Sequence, residues 1–174
     1  REGTANATGD YIAFCDADLD LAPEQLADFI DRMQRENADV VIGSKMHPES
    51  KVDYPAIRRV YSWGYYILLL LLFRLNVRDT QTGLKLFKAE VIKPVMRQIL
   101  VKRFAFDIEV LAIINARGYK ITSAPIEVVF HRVSFGRIGF SDIRNMFIDT
   151  LAIFYRLHIL HYYDKVEAHP ELKE

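Results

Sequence analysis

The stretch Tyr11-Ile12-Ala13-Phe14-Cys15-Asp16-Ala17-Asp18-Leu19-Asp20, with Pro23 shortly after it, runs an apolar strand straight into three carboxylates at alternate positions and then into a helix start. The pattern reads as a strand end that holds a divalent cation. Two carboxylates about 5 Å apart at an effective dielectric of about 20 repel by roughly 3 kcal/mol, so the arrangement calls for a cation, a proton or open solvent. A hard cation accepts oxygen ligands of this kind. An EF-hand loop is excluded, because its required Gly at position 6 and Glu at position 12 are Leu21 and Ala27 here. An aspartate nucleophile of the phosphatase type and a solvated acidic loop stay open on spacing alone.

Beyond this stretch, Pro23 to Glu36 carries Leu26, Phe29, Ile30 and Met33 at helical spacing, and Asp39 to Gly43 reads as a buried strand. Strand, helix and strand together predict a parallel crossover. A loop with Pro48 and Pro55 leads to a long helix from about Ala56 to Leu75, followed by a half-buried strand over Thr82 to Phe87. Helices are expected over Ala89 to Leu100, with Pro94 as a kink or restart, and over Phe106 to Arg117, ended by Gly118. Strands follow at Tyr119 to Thr122 and Ile126 to His131, and an amphipathic helix at Ser141 to about Leu157. The expected organisation is one α/β domain over residues 1–163 and a polar, frayed tail over 164–174.

The chain has 174 residues, 51% hydrophobic and 26% charged with a formal net charge of zero, which removes the general electrostatic argument for a nucleic-acid partner. The single cysteine, Cys15, forms no internal disulfide and is expected buried and inert in its strand. No signal-peptide pattern lies in the polar run Arg1 to Gly9. Trp63 to Phe73 is the greasiest segment, but eleven apolar residues fall short of the roughly 20 that span a bilayer, so a buried core helix is expected. His158, His161 and Asp164 are read as ordinary C-terminal polar residues rather than as metal ligands, and Trp63, Tyr65 and Tyr66 as core packing.

Six pieces in order then carry a resemblance: Asp16-Ala17-Asp18-Leu19-Asp20 with Pro23, Ile42-Gly43-Ser44-Lys45, Arg58 through Ser62, Asp79-Thr80-Gln81-Thr82-Gly83-Leu84-Lys85-Leu86-Phe87, Phe106-Asp107-Ile108-Glu109-Val110-Leu111, and Ala124-Pro125-Ile126-Glu127-Val128 followed by Arg132. Together they resemble the polyprenyl-phosphate glycosyltransferases of glycosyltransferase family 2, typified by dolichyl-phosphate mannose and glucose synthases. The resemblance implies a GT-A fold, Rossmann-like with a mixed, mostly parallel sheet. Family members open with a strand and a Pro-x-Tyr-Asn-Glu-like segment that binds the nucleotide base, and nothing of the kind stands in this sequence. The chain therefore reads as N-terminally truncated, with weak or no activity expected of it alone. A non-catalytic remnant or a membrane-associated binding module is the alternative.

The same resemblance implies roles for individual residues. Asp16, Asp18 and Asp20 would hold Mg²⁺ or Mn²⁺ against the diphosphate of a nucleotide sugar, Asp20 standing where mannose synthases of this type usually have glutamine. Lys45, Arg58 and Ser62 would meet the donor diphosphate; Lys45 replaces the family's arginine, keeping the charge and losing the bidentate fork. Asp79, Thr82 and Gly83 belong to the sugar and acceptor region, with Arg132 and Arg137 placed toward a lipid phosphate. Asp107 and Glu109 are the candidate catalytic or orienting carboxylates, although the helix dipole alone explains acids in a first turn. A lipid phosphate is already ionised near neutral pH and needs positioning more than a general base. The implied reaction is inverting hexosyl transfer to a polyprenyl phosphate, at the cytoplasmic face of a membrane and peripheral to it, with the amphipathic helix after Ser141 lying on the bilayer or packing on the domain.

Overall fold

The computed structural model describes residues 2–17, 20–51, 56–102, 105–128 and 140–168, with the backbone alone at 56–61 and 140. Four strands form one mixed sheet: β1 (Tyr11–Phe14), β2 (Val40–Ser44), β3 (Lys85–Lys88) and β4 (Ile121–Pro125), in the spatial order β1-β3-β2-β4. β3 runs antiparallel to both β1 and β2, while β2 and β4 are parallel. The crossover expected between β1 and β2 keeps their common direction, but β3 is inserted between them. Backbone pairing in that slot depends on residues far along the chain, so the local pattern of a strand, helix and strand does not encode it.

Side chains alternate across the sheet and build a core on each face. On one side Val41, Leu86 and Ala124 pack with Phe29 and Met33 of helix α2 (Leu26–Glu36), which Asn37 closes in the left-handed region at φ 48°. On the other side Val40, Ile42 and Phe87 meet α4 (Ala89–Gln98) and α5 (Phe106–Ala116). Helix α5 is buried on nearly every side from Ile108 to Ile114, as a helix with no polar stripe must be. Gly118, at φ 80°, follows its end. Asp39, just before β2, ties three strands together: its carboxylate accepts from Lys88 Nζ at 2.7 Å and from the Lys120 backbone N–H at 2.9 Å.

Several expectations change. β3 is buried from Lys85 to Phe87 rather than half-buried, with only Lys88 at its end partly exposed, because both faces of this inner strand are covered. Cys15 is exposed, since it follows β1, an outer strand of the described sheet. Helix α4 continues through Pro94, without restarting. A short helix α1 (Glu2–Asn6) occupies the opening polar run. β4 lies two to three residues later than expected, and beyond it isolated bridges pair Glu127 with Lys51 and Val128 with Leu21. The strand expected as far as His131 otherwise falls outside the described residues.

Helix α3 (Ala56–Phe73) is not fully enclosed. Leu69 and Phe73 are buried, whereas Trp63, Ile67 and Leu71 face outward, Leu71 being 76% exposed. Helix α6 (Phe140–Phe154) lies alongside, joined by a 2.9 Å hydrogen bond between Tyr65 Oη and Thr150 Oγ1. It also shows apolar residues outward, among them Ile143, Phe147 and Ile148. Among the described residues no helix is long and apolar enough to cross a membrane. A π-turn (Tyr155–Ile159) leads to α7 (Tyr162–Ala168), where Tyr163 and Val166 are buried. The residues from Asp164 to Ala168 are thus helical, not frayed.

Candidate functional site

Because β1 and β2 point the same way, their carboxyl ends deliver Asp16 and Lys45 to one edge of the sheet, where the turn before β3 also arrives. Gly83 sits in that turn beneath Asp16: a Cβ added at Gly83 would fall on the Asp16 carboxylate. Gly43 in β2 gives the turn its other close approach, since a Cβ there would lie 2.8 Å from Ile126 Cγ2 and 3.0 Å from Thr82 Cγ2. Its N–H donates to Leu84 O at 2.9 Å. One carboxylate oxygen of Asp79 accepts the Lys45 N–H at 2.9 Å, which ties the two segments together.

A lysine that was not singled out from the sequence lies under this turn. Lys85 Nζ donates to the Thr82 carbonyl at 2.5 Å and forms an ion pair with Asp107 Oδ1 at 2.9 Å. Its side chain is 3% exposed, and that of Asp107 is 28% exposed. The signal was present: Lys85 shares the inward parity of Phe87 in the run Leu84-Lys85-Leu86-Phe87, and a buried lysine requires an acid.

The expected residues therefore divide. Asp16, Lys45, Asp79, Thr82, Gly83 and Asp107 converge through the contacts above. Thr82 is fully buried, and among the described residues its hydroxyl has no hydrogen-bond partner. Glu109 is separated from the site by burial. It is 0% exposed, with Oε2 accepting the backbone N–H groups of Leu100 at 3.0 Å and Val101 at 2.8 Å. Its Oε1 accepts from Tyr163 Oη at 2.5 Å and lies 3.6 Å from Arg156 Nη1. A carboxylate so enclosed cannot touch a substrate; it organises the approach to α5 and anchors α7. Asp20 and Ser62 are half-buried. Asp18, Arg132 and Arg137 fall outside the described residues, as does the side chain of Arg58 on α3.

Asp16 offers a solvent-exposed carboxylate at the strand end, a hard oxygen donor of the type Mg²⁺ and Mn²⁺ take, and in that respect the residue fits. Among the described residues no three His, Cys, Asp or Glu side chains group closely enough to hold a metal. A cavity of about 550 Å³ opens elsewhere, walled by residues such as Phe73, Arg74, Arg117 and Leu157. None of the converging residues lines it.

Residues 1–96 match the family model described as glycosyl transferase family 2. Over 170 residues the chain is 30% identical to dolichyl-phosphate beta-glucosyltransferase ALG5D of Trichomonas vaginalis, covering 91% of this chain and 50% of that protein. It is 27% identical over 121 residues to glycosyltransferase AglD of Haloferax volcanii, covering 70% of this chain and 19% of that protein. The chain thus spans about half the length of the ALG5 relatives it matches. In fold it is similar to glucosyl-3-phosphoglycerate synthase of Mycobacterium tuberculosis, crystallised with Mn²⁺, UDP-glucose and phosphoglyceric acid. The TM-score is 0.59 at 14% identity, with 88% of this chain and 51% of that chain covered. The mixed sheet with helices on both faces is accordingly GT-A-like.

Proposed function

Since the chain belongs to glycosyl transferase family 2, we propose that it carries the metal- and phosphate-binding part of an inverting enzyme that moves a hexose from a nucleotide diphosphate sugar to a polyprenyl phosphate. The observation that carries this reading is the convergence of Asp16, Lys45 and the Asp79-to-Gly83 turn at one sheet edge. Asp16, Asp18 and Asp20 are the residues to hold Mg²⁺ or Mn²⁺. A cation there offsets the negative charge that builds on the departing diphosphate.

The chain's own groups do the rest. Lys45, Arg58 and Ser62 supply cationic and hydroxyl donors toward phosphate oxygens. The ion pair to Lys85 leaves Asp107 one carboxylate edge with which to orient a sugar or acceptor at the cleft. Arg132 and Arg137 are assigned to the acceptor phosphate. The neighbouring outward apolar residues of α3 and α6 support a peripheral seat on a membrane surface, where the acceptor's prenyl chain resides. The relatives named as dolichyl-phosphate beta-glucosyltransferases favour glucose as the sugar and dolichyl phosphate as the acceptor.

The test is transfer of radiolabelled hexose from a panel of nucleotide sugars to polyprenyl phosphate in detergent, with Mn²⁺ or with chelator. Labelling above the chelated control, weak for this chain alone, is expected with UDP-glucose and metal, and its loss in Asp16→Ala. Equal labelling by Asp16→Ala would overturn the assignment.

A further inference from the structure

We infer that Lys85 is a positioning residue, holding the Thr82-Gly83 turn and Asp107 in register so that the Asp16 carboxylate is set for its cation; this rests on the function proposed above. The geometry is a chain of contacts. Asp16 lies on Gly83, the carbonyl of the preceding Thr82 accepts from Lys85 Nζ, and the same ammonium grips Asp107 at the first turn of α5. One cation thereby connects the end of β1, the turn before β3 and the helix beyond them.

Stability alone does not account for it. An ion pair in a protein interior is expensive to desolvate, and a well-packed apolar residue of similar size commonly does as well or better. Lys85 is 2% exposed between Leu84 and Leu86, both buried, a setting that methionine would fill. What methionine cannot supply is a donor that fixes the Thr82 carbonyl and a charge that orients Asp107. Nothing else among the described residues bonds the Thr82 carbonyl and the Asp107 carboxylate at once.

Lys85→Met, Asp107→Asn and the double variant, made in the full chain, separate positioning from packing. Melting temperature reports folding, and titration with Mn²⁺ plus UDP-glucose reports the site. Lys85→Met is expected to lower the melting temperature, by leaving Asp107 without its counter-charge. The double variant is expected to regain most of it while still binding metal and donor at least about tenfold more weakly than Asp107→Asn, which keeps the Lys85 donor on the Thr82 carbonyl. Affinity in the double variant equal to that of Asp107→Asn would overturn the inference alone. If Lys85→Met does not fold, Lys85→Arg keeps the charge but moves the donors, and weakened binding is again expected; unchanged binding overturns the inference. Absence of any metal-dependent donor binding by the wild-type chain overturns the proposed function as well.

Discussion

Replacing Glu109 by alanine removes the acceptor of the Leu100 N–H, the Val101 N–H and the Tyr163 hydroxyl, and the counter-charge of Arg156. Each buried polar group left unpaired costs roughly 1–3 kcal/mol, and losing one partner of a buried ion pair costs about 3–5 kcal/mol. These contributions overlap, because water enters the space the side chain leaves, and about 4 kcal/mol is the reasonable total. For a chain of this size that lowers the melting temperature by about 8–16 °C. Glu109→Gln is milder. Its carbonyl oxygen still serves both backbone donors, while its amide turns toward Tyr163 and Arg156, for a loss of about 1–2 kcal/mol. Burial, followed by repulsion from Glu109, pushes the Tyr163 hydroxyl well above the ordinary phenol range, so it remains a donor at every working pH. Urea denaturation and thermal melts followed by circular dichroism give the numbers. An alanine variant within about 1 kcal/mol of wild type would refute the enclosed, structural role of this carboxylate.

Gly83→Ala is expected to act locally. The Gly83 backbone is outside the left-handed region, but the methyl group falls on the Asp16 carboxylate and within 2.8 Å of Asp16 Cβ, so the side chain must turn away and the backbone beside it must shift. Stability should fall by about 1–3 kcal/mol and Mn²⁺ affinity, read by electron paramagnetic resonance, by about tenfold; unaltered affinity would contradict the close approach. Asp39→Asn should cost about 1 kcal/mol at pH 7 in thermal melts, after allowance for partial exposure. Burial pushes the Asp39 carboxyl up, but the bonds from Lys88 and the Lys120 N–H outweigh it and hold it below its ordinary value of 3.8. A depressed folded value makes this contribution full above 3.8, and it is lost as pH falls through the folded value. The gap between wild type and Asp39→Asn should accordingly close on acidification below 3.8. A gap that widens would show the sign to be wrong.

Local periodicity made α2, β2 and α5 legible, because Phe29 and Met33, the Val40-Val41-Ile42 run and the apolar Ile108-to-Ile114 segment each state their burial directly. The strand end at Asp16 was likewise readable from residue types, whereas the packing of Gly83 against it was not. The position of β3 was not, since sheet order is settled by pairing between distant segments. That slot also hides Lys85, whose partner stands 22 residues further on, in α5 (107 less 85). Glu109 is a carboxylate in the same helix turn as Asp107, and it is the Leu100 and Val101 N–H groups with Tyr163 of α7, all distant from any local pattern, that make it an enclosed anchor. The outward face of α3 was obscured for the opposite reason: a run of leucines has no polar stripe by which to tell inside from outside.

The most direct measurement is calorimetric titration of UDP-glucose into the chain with Mn²⁺ present and with Mn²⁺ chelated, for wild type and Asp16→Ala. Saturable binding that requires the metal and weakens at least about tenfold in the variant is the expected result. Binding indifferent to both metal and substitution would contradict a cation-assisted diphosphate site at the end of β1.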